Sequence, residues 1–175
     1  KSGEAALRAA GAMVDAVDAV MTGAADNAFC AMRPPGHHAE PTQAMGFCLF
    51  NSVAIGAEHA RKAHGAERVA VMDFDVHHGN GTQAMFWNEP NLFYASTHQW
   101  PLYPGTGDKA ETGAYGNITN APLWPGAGSD DFRTAMRDVV LPAMEDFSPD
   151  LVLISAGFDA HRRDPLAQLL LETED

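Results

Sequence analysis

Two adjacent histidines, a D-x-H triplet and a distant aspartate carry the chemistry that this sequence offers. The segment DFDVHHGNG (73–81) is the densest cluster. In an extended chain alternate residues point the same way, so Asp73, Asp75 and His77 project together. Two carboxylates and an imidazole on one side repel one another or resist desolvation unless a cation joins them. A divalent metal is the natural occupant. Zinc accepts nitrogen and oxygen ligands, and its catalytic sites use three protein ligands and keep one position open. Asp75 and His77 supply two, and Asp159 in SAGFDAH (155–161) is the third candidate. An isolated D-x-H is usually a loop acid beside a satisfied histidine, so the reading rests on Asp159 as a partner from a second segment.

RPPGHHAE (33–40) is the next cluster. His37 and His38 follow a Pro-Pro-Gly turn and cannot both sit in a regular core strand. Beside a metal they would be an acid/base pair, because imidazole titrates near neutrality. Each needs an orienting partner on its second nitrogen. Asp73 is the candidate for one and Asn80 for the other. The competing reading places both on a surface loop. Aromatic residues in loops, Phe47 in GFC (46–48) and Trp100 and Tyr103 in STHQWPLYPGTG (96–107), either line a substrate channel or anchor their own loops. YPGTG lacks the lysine spacing of a phosphate-binding loop, and no G-x-S-x-G elbow is present. Cys48 reads as structural rather than nucleophilic.

The elements that must position these groups follow from periodicity. Leu7, Ala10, Val14, Val17 and Met21 predict an amphipathic helix ending near Gly23. Residues 28–32 read as a short strand and 33–50 as a loop. Asn51 caps a predicted helix over about 52–64, with Val53, Ala57 and Ala60 on one face and Gly65 as its stop. Arg68 to Phe74 reads as a buried strand, 76–88 as a loop and short helix, and Asn91 to Ser96 as another strand. Residues 97–128 read as one long functional loop. A helix over about 129–147 carries Ser129 as its cap and Phe132, Met136, Val139, Ala143 and Phe147 on its stripe, with Pro142 expected to interrupt it. Leu151 to Ser155 is the last strand, and a further helix is expected from about Pro165. Strands alternating with helices predict an α/β protein with a parallel sheet covered on both faces. Ligands bind such sheets beyond the carboxyl ends of the strands, where all three polar clusters fall.

Composition is consistent with one domain. The 175 residues are 46% hydrophobic and 19% charged, enough for a core. A formal charge of −12 argues against direct nucleic-acid binding, which needs cations against phosphate. No apolar run is long enough to span a membrane. Two cysteines, Cys30 and Cys48, make no disulfide framework and suit a reducing compartment, so a cytoplasmic location is expected. The first residue is Lys1, in a segment that already reads as helix, so the chain is expected to be a piece of a longer protein.

Together RPPGHHA (33–39), GFCLFN (46–51), DFDVHHGNG (73–81), LYPGTG (102–107) and SAGFDAH-RRDPLA (155–167) resemble the histone deacetylase superfamily. They occur in that family's order and span most of the chain. Asn80 after His-His-Gly resembles class II deacetylases and their bacterial relatives. The resemblance implies the three-layer arginase–deacetylase fold, with a mostly parallel sheet and the site at the C-terminal strand ends. It implies one Zn2+ on Asp75, His77 and Asp159. It makes His38 the general base and His37 its electrostatic partner, with Asp73 orienting His37 and Asn80 contacting His38. Gly46, Phe47 and Tyr103 would wall an acyl-lysine tunnel, with Leu166 near its mouth. Asp73, Asp75, His77, Ser96 and Thr97 match positions that hold a monovalent cation such as K+, partly through backbone oxygens. His78 and His161 match motif positions without a ligand role. The family's transition-state tyrosine sits in a Gly-Gly-Tyr stretch downstream of SAGFDAH, which this chain does not reach, and the start of the family domain is also expected to be missing. Residues 1–175 would then be one partial catalytic domain.

The expected function is a zinc-dependent amidohydrolase that removes acetyl or related acyl groups from lysine side chains of proteins. An acetylpolyamine or small-molecule deacylase is the alternative substrate reading, and an acyl-amine binding module without turnover the alternative of another class. The expected partner is an acyl-lysine peptide or acylated amine, with neither nucleic acid nor membrane, and with room for a homo-oligomer. An arginase-like manganese centre is disfavoured, because a binuclear site needs more clustered carboxylates.

Overall fold

The computed structural model describes all residues, 1–175, and is built around four parallel strands. These are β1 (Val69–Asp73), β2 (Leu92–Gln99), β3 (Ile118–Leu123) and β4 (Leu151–Ser155), in the order β3-β2-β1-β4. Helices α1 (Ser2–Met21) and α2 (Ser52–His64) cover one face, and the short α3 (Asn80–Phe86) follows β1. The other face carries α4 (Ser129–Ala135), a π-helical turn (Met136–Val140) and α5 (Leu141–Phe147). Strand alternation sorts the core. Val69, Val71, Leu92 and Tyr94 pack with Val17, Val53, Ala57 and Ala60 of α1 and α2. Ala70, Met72, Phe93 and Ala95 turn the other way, against Val140, Ala143 and Phe147. β1 and β2 are buried throughout, as the apolar run in 69–72 requires of a strand covered on both sides.

The local rules explain α2 closely. The Asn51 side chain accepts from Ala54 N at 3.1 Å, and Gly65 closes the helix at φ 72°, where a Cβ would be strained. Elsewhere the structure corrects the sequence reading. Residues 28–32 are not a strand: Phe29 is exposed, the segment pairs with no strand of the sheet, and the Cys30 thiol donates to Ala12 O of α1. The loop over 97–128 contains β3, which its proline disguised. Pro122 is tolerated because β3 is an edge strand with β2 as its only neighbour.

The stripe over 129–147 is also altered. The π turn inserts a residue ahead of Pro142, so Val140 is fully buried and Val139 is exposed. The cap of α4 is Gly128, whose N–H donates to the Asp131 carboxylate, while Ser129 is the first helical residue. Leu7 of the predicted α1 stripe is exposed. No helix forms after Pro165. The chain instead returns along the strand-end loops through bridges of Leu170 to Gly128 and Leu171 to His161, burying Leu169 and Leu171 with Val76, Phe132 and Ala160. No helix is long and apolar enough to cross a membrane.

The parallel register aligns the strand ends. Asp73 is paired with Ser96 on one side and Ser155 on the other. The next peptide is also tied, with Phe74 N donating to Ser155 O at 3.2 Å. The loops after β1 and β4 therefore leave the sheet together, and these carry the candidate ligands.

Candidate active site

Beyond those ends, Asp75, His77 and Asp159 converge, their donor atoms all within 4.8 Å of one another. His77 Nδ1 lies 3.0 Å from Asp75 Oδ1 and 3.0 Å from Asp159 Oδ2. One nitrogen carries at most one proton, so the two oxygens share a single donor. The carboxylates are aimed by backbone amides: His77 N donates to Asp75 Oδ1 at 2.8 Å and Val76 N to Asp159 Oδ1 at 3.0 Å. Gly157 makes room for them, since a Cβ there would fall on the Asp75 carboxylate. Hydrogen bonds from the His77 ring to Asp159 and Asp75 push His77 up to about 9. Zinc–ligand bonds of about 2.0–2.1 Å place tetrahedral ligands about 3.3 Å apart. The two spacings from His77 Nδ1, 3.0 Å each, are close to that, and the donor set of one nitrogen and two oxygens fits the metal.

The tandem histidines sit beside this cluster, and the structure separates their environments. Their loop is held by α3, whose Gly81 and Thr82 amides donate to His37 O at 3.0 and 3.2 Å. His37 Nδ1 meets the buried Asp73 Oδ2 at 2.9 Å, and its Nε2 is 3.8 Å from Asp75 Oδ2. Burial opposes charge on His37, but the Asp73 carboxylate, with Asp75 and Asp159 behind it, outweighs burial and holds it up at about 9. His38 Nδ1 lies 2.8 Å from Asn80 Oδ1, while the Asn80 amide nitrogen donates to Glu40 at 2.8 Å. An amide oxygen can only accept, so His38 carries its proton on Nδ1 and leaves Nε2 bare. Burial and the neighbouring His37 lower His38 to about 4, which keeps it neutral at pH 7.

The remaining site residues of the sequence reading fall as follows. Gly46, at φ 55°, presses its backbone on the His38 ring so closely that a Cβ would collide with it. The Tyr103 ring stands 5.2 Å from His38 and 6.2 Å from His77. Phe47 and Leu166 are strongly exposed, with their side chains in solvent, and Trp100 is half-buried. Ser96 and Thr97 are buried at the end of β2, and the Ser96 hydroxyl meets His98 Nδ1 at 2.9 Å. His78 is buried between Thr106 and Gln83, and burial lowers it to about 3, so it is a satisfied core histidine. His161 is half-buried and accepts from Arg163 N. Tyr94 is the residue that sequence reasoning missed. Its buried hydroxyl donates to Asp73 Oδ2 at 3.1 Å and accepts from Gly79 N at 3.0 Å. Its position in β2 on the same sheet face as Asp73 was the available signal.

Residues 1–175 match the histone deacetylase domain over their whole length. The chain belongs to the histone deacetylase family. It is 48% identical over 175 residues to the histone deacetylase-like amidohydrolase of Pseudomonas aeruginosa, covering 98% of this chain and 46% of that protein. It is 43% identical to a probable deacetylase of Archaeoglobus fulgidus, covering 95% of this chain and 47% of that one. The crystal structure of the HDA15 HD domain superposes with a TM-score of 0.92 at 45% identity, covering 95% of this chain and 50% of that one. The fold of this histone deacetylase family chain is therefore the arginase–deacetylase fold. The chain spans about half the length of the curated relatives it matches.

Proposed function

We propose that this deacetylase-family chain carries the metal and acid/base half of a zinc-dependent amidohydrolase site that removes acetyl or related acyl groups from lysine side chains. The observation that supports it most is His77 Nδ1 standing between two carboxylate oxygens at equal distance, next to one neutral and one charged histidine. Asp75, His77 and Asp159 would hold the zinc. Bound there, zinc supplies Lewis acidity toward the acyl carbonyl and the attacking water.

The chain's own groups do the proton work. His38 Nε2 accepts the proton of the attacking water, with Asn80 fixing the ring through Nδ1. That proton passes to the amine nitrogen as the C–N bond breaks, giving a carboxylic acid and a neutral amine, and the acid's proton then moves to the amine or to water, leaving a carboxylate. His37, kept charged by Asp73, places a positive charge beside the developing negative one. Tyr103 and the Gly46 backbone shape the wall next to His38, where an apolar acyl-lysine stem would run. Phe47 and Leu166 would form the rim. Asp73, Asp75, His77, Ser96 and Thr97 would hold a monovalent cation beneath the site, a reading supported by the pairing of Asp73 with Ser96 at the strand ends.

The test uses the protein expressed from its complete gene, assayed on an acetyl-lysine peptide and on an acetylated polyamine. Release of acetate from the peptide, lost on chelation and restored by zinc, is the expected result. Turnover of the polyamine alone would move the substrate to small amines. Tight binding of acetyl-lysine without turnover on either substrate would make the chain a binding module.

A further inference from the structure

A second cluster of metal-ligating side chains lies away from the strand ends. Asp18 Oδ1 is 2.6 Å from His59 Nε2 and 2.6 Å from His64 Nε2. An ordinary N–H···O bond is about 2.9–3.0 Å, so two imidazoles are drawn unusually close to one oxygen. The three donor atoms lie within 4.8 Å of one another.

Helix geometry brings them together. α1 and α2 run side by side in one direction, with Met13 packed on Gly56 and Asp18 on the later His59 and His64. Asp18 is in the last turn of α1 and His64 is the last residue of α2. Two helix C-termini, each the negative end of a dipole, therefore meet at the cluster, and the last turn of α1 has no basic residue to answer them. Asp15 lies one turn back on α1 and adds negative charge. The cations of α2 are engaged elsewhere, Arg61 and Lys62 both on Glu58. The side chains of His64, His59 and Asp18 are 17, 26 and 48% exposed, which leaves solvent access for an ion and for water to complete its coordination.

The cluster is separate from the catalytic one. The Asn51 end of α2 touches Ala39 and Thr82 beside the tandem histidines, whereas His64 is at the opposite end. Thirteen residues of helix make that separation about 20 Å.

We propose that Asp18, His59 and His64 form a second divalent transition-metal site, taking zinc, that clips the C-terminal end of α1 to that of α2. Two imidazole nitrogens and a carboxylate oxygen are a donor set that suits zinc, with water filling the remaining position. Insertion requires the donors to part by about 0.7 Å, from the observed contact to tetrahedral spacing. Half-exposed side chains at helix ends can make that movement.

The experiment uses untagged protein from the complete gene, stripped with chelator, dialysed against buffered zinc and analysed for bound metal. About two zinc ions per chain are expected, with about one left in Asp18→Asn and about one in Asp75→Ala. In the Asp75→Ala background, zinc should raise Tm by about 5 °C, and His59→Gln with His64→Gln should abolish that rise. Because both arms are read as metal content and Tm, they do not depend on catalysis. Asp18→Asn replaces a half-exposed group and provides the reading if the double histidine variant fails to fold. Retention of the second zinc in Asp18→Asn would overturn the proposal, as would a single zinc that only Asp75→Ala removes.

Discussion

The Asp75/His77/Asp159 cluster and the Asp18/His59/His64 cluster use the same donor types but hold them differently. At the strand ends each carboxylate has one oxygen fixed by a backbone amide, from His77 and from Val76, before any ion arrives. Between the helices the carboxylate is held by the two imidazoles and by nothing as stiff. The first arrangement is preorganised by strand register and loop backbone. The second depends on side-chain rotamers at two helix ends. Preorganised sites lose less free energy on binding and keep their geometry through a reaction, so the strand-end cluster is the one suited to catalysis. The helical cluster is suited at most to fastening.

The largest expected effect that tests this contrast is loss of a strand-end ligand. Asp159→Ala or Asp75→Ala should strip that zinc and reduce turnover to background, while the helical site keeps its metal. Metal analysis beside a deacetylation assay would show it, and unchanged zinc in both variants would remove the ligand assignment. His38→Ala comes next. Turnover should fall by about 10²–10⁴-fold with zinc content unchanged, because His38 stands beside the three clustered donors without being one of them. Loss of zinc in that variant would make His38 a ligand.

Gly157→Ala probes the preorganisation itself. Its Cβ would displace the Asp75 carboxylate, so zinc affinity at the strand ends should weaken by about 10–100-fold, read by competition with a chelating dye. Gly65→Ala, next to the helical cluster but with open space around its Cβ, should leave zinc affinity there intact and cost only stability. The smallest effect is expected from Tyr94→Phe. It removes the hydrogen bond to Asp73 and the one accepted from Gly79 N, each worth about 1 kcal/mol, and should lower thermal stability modestly and turnover severalfold with zinc retained.

Much of the site was legible because its parts are local. Asp75 and His77 alternate in one loop, His37 and His38 are adjacent, and Asp159 follows a run that could only be a strand. The pairings of His37 with Asp73 and of His38 with Asn80 were also readable, since each ring needed a partner and the candidates were few. Tyr94 was not legible in the same way. It lies in a strand that reads as plain core, and only parallel pairing of β1 with β2 puts its hydroxyl on Asp73. His59 and His64 were silent for a related reason. Five positions apart on one helix, they do not share a face as neighbours three or four apart would, and it is Asp18 from another helix that unites them.

By itself the sequence determined the α/β class, the buried strands β1, β2 and β4, the caps of α2 and the residues able to do chemistry. These depend on periodicity, composition and short-range sterics, which act within a few residues. Tertiary structure decided that 28–32 lies along α1 rather than in the sheet, that Pro122 can occupy an edge strand, and that a π turn buries Val140 in place of Val139. It also decided which of two adjacent histidines is charged. His37 and His38 share a sequence neighbourhood, and they differ only because a buried carboxylate from β1 meets one and an amide oxygen from α3 meets the other. Burial and partner charge set an imidazole's protonation, and both are supplied by residues far away in the chain.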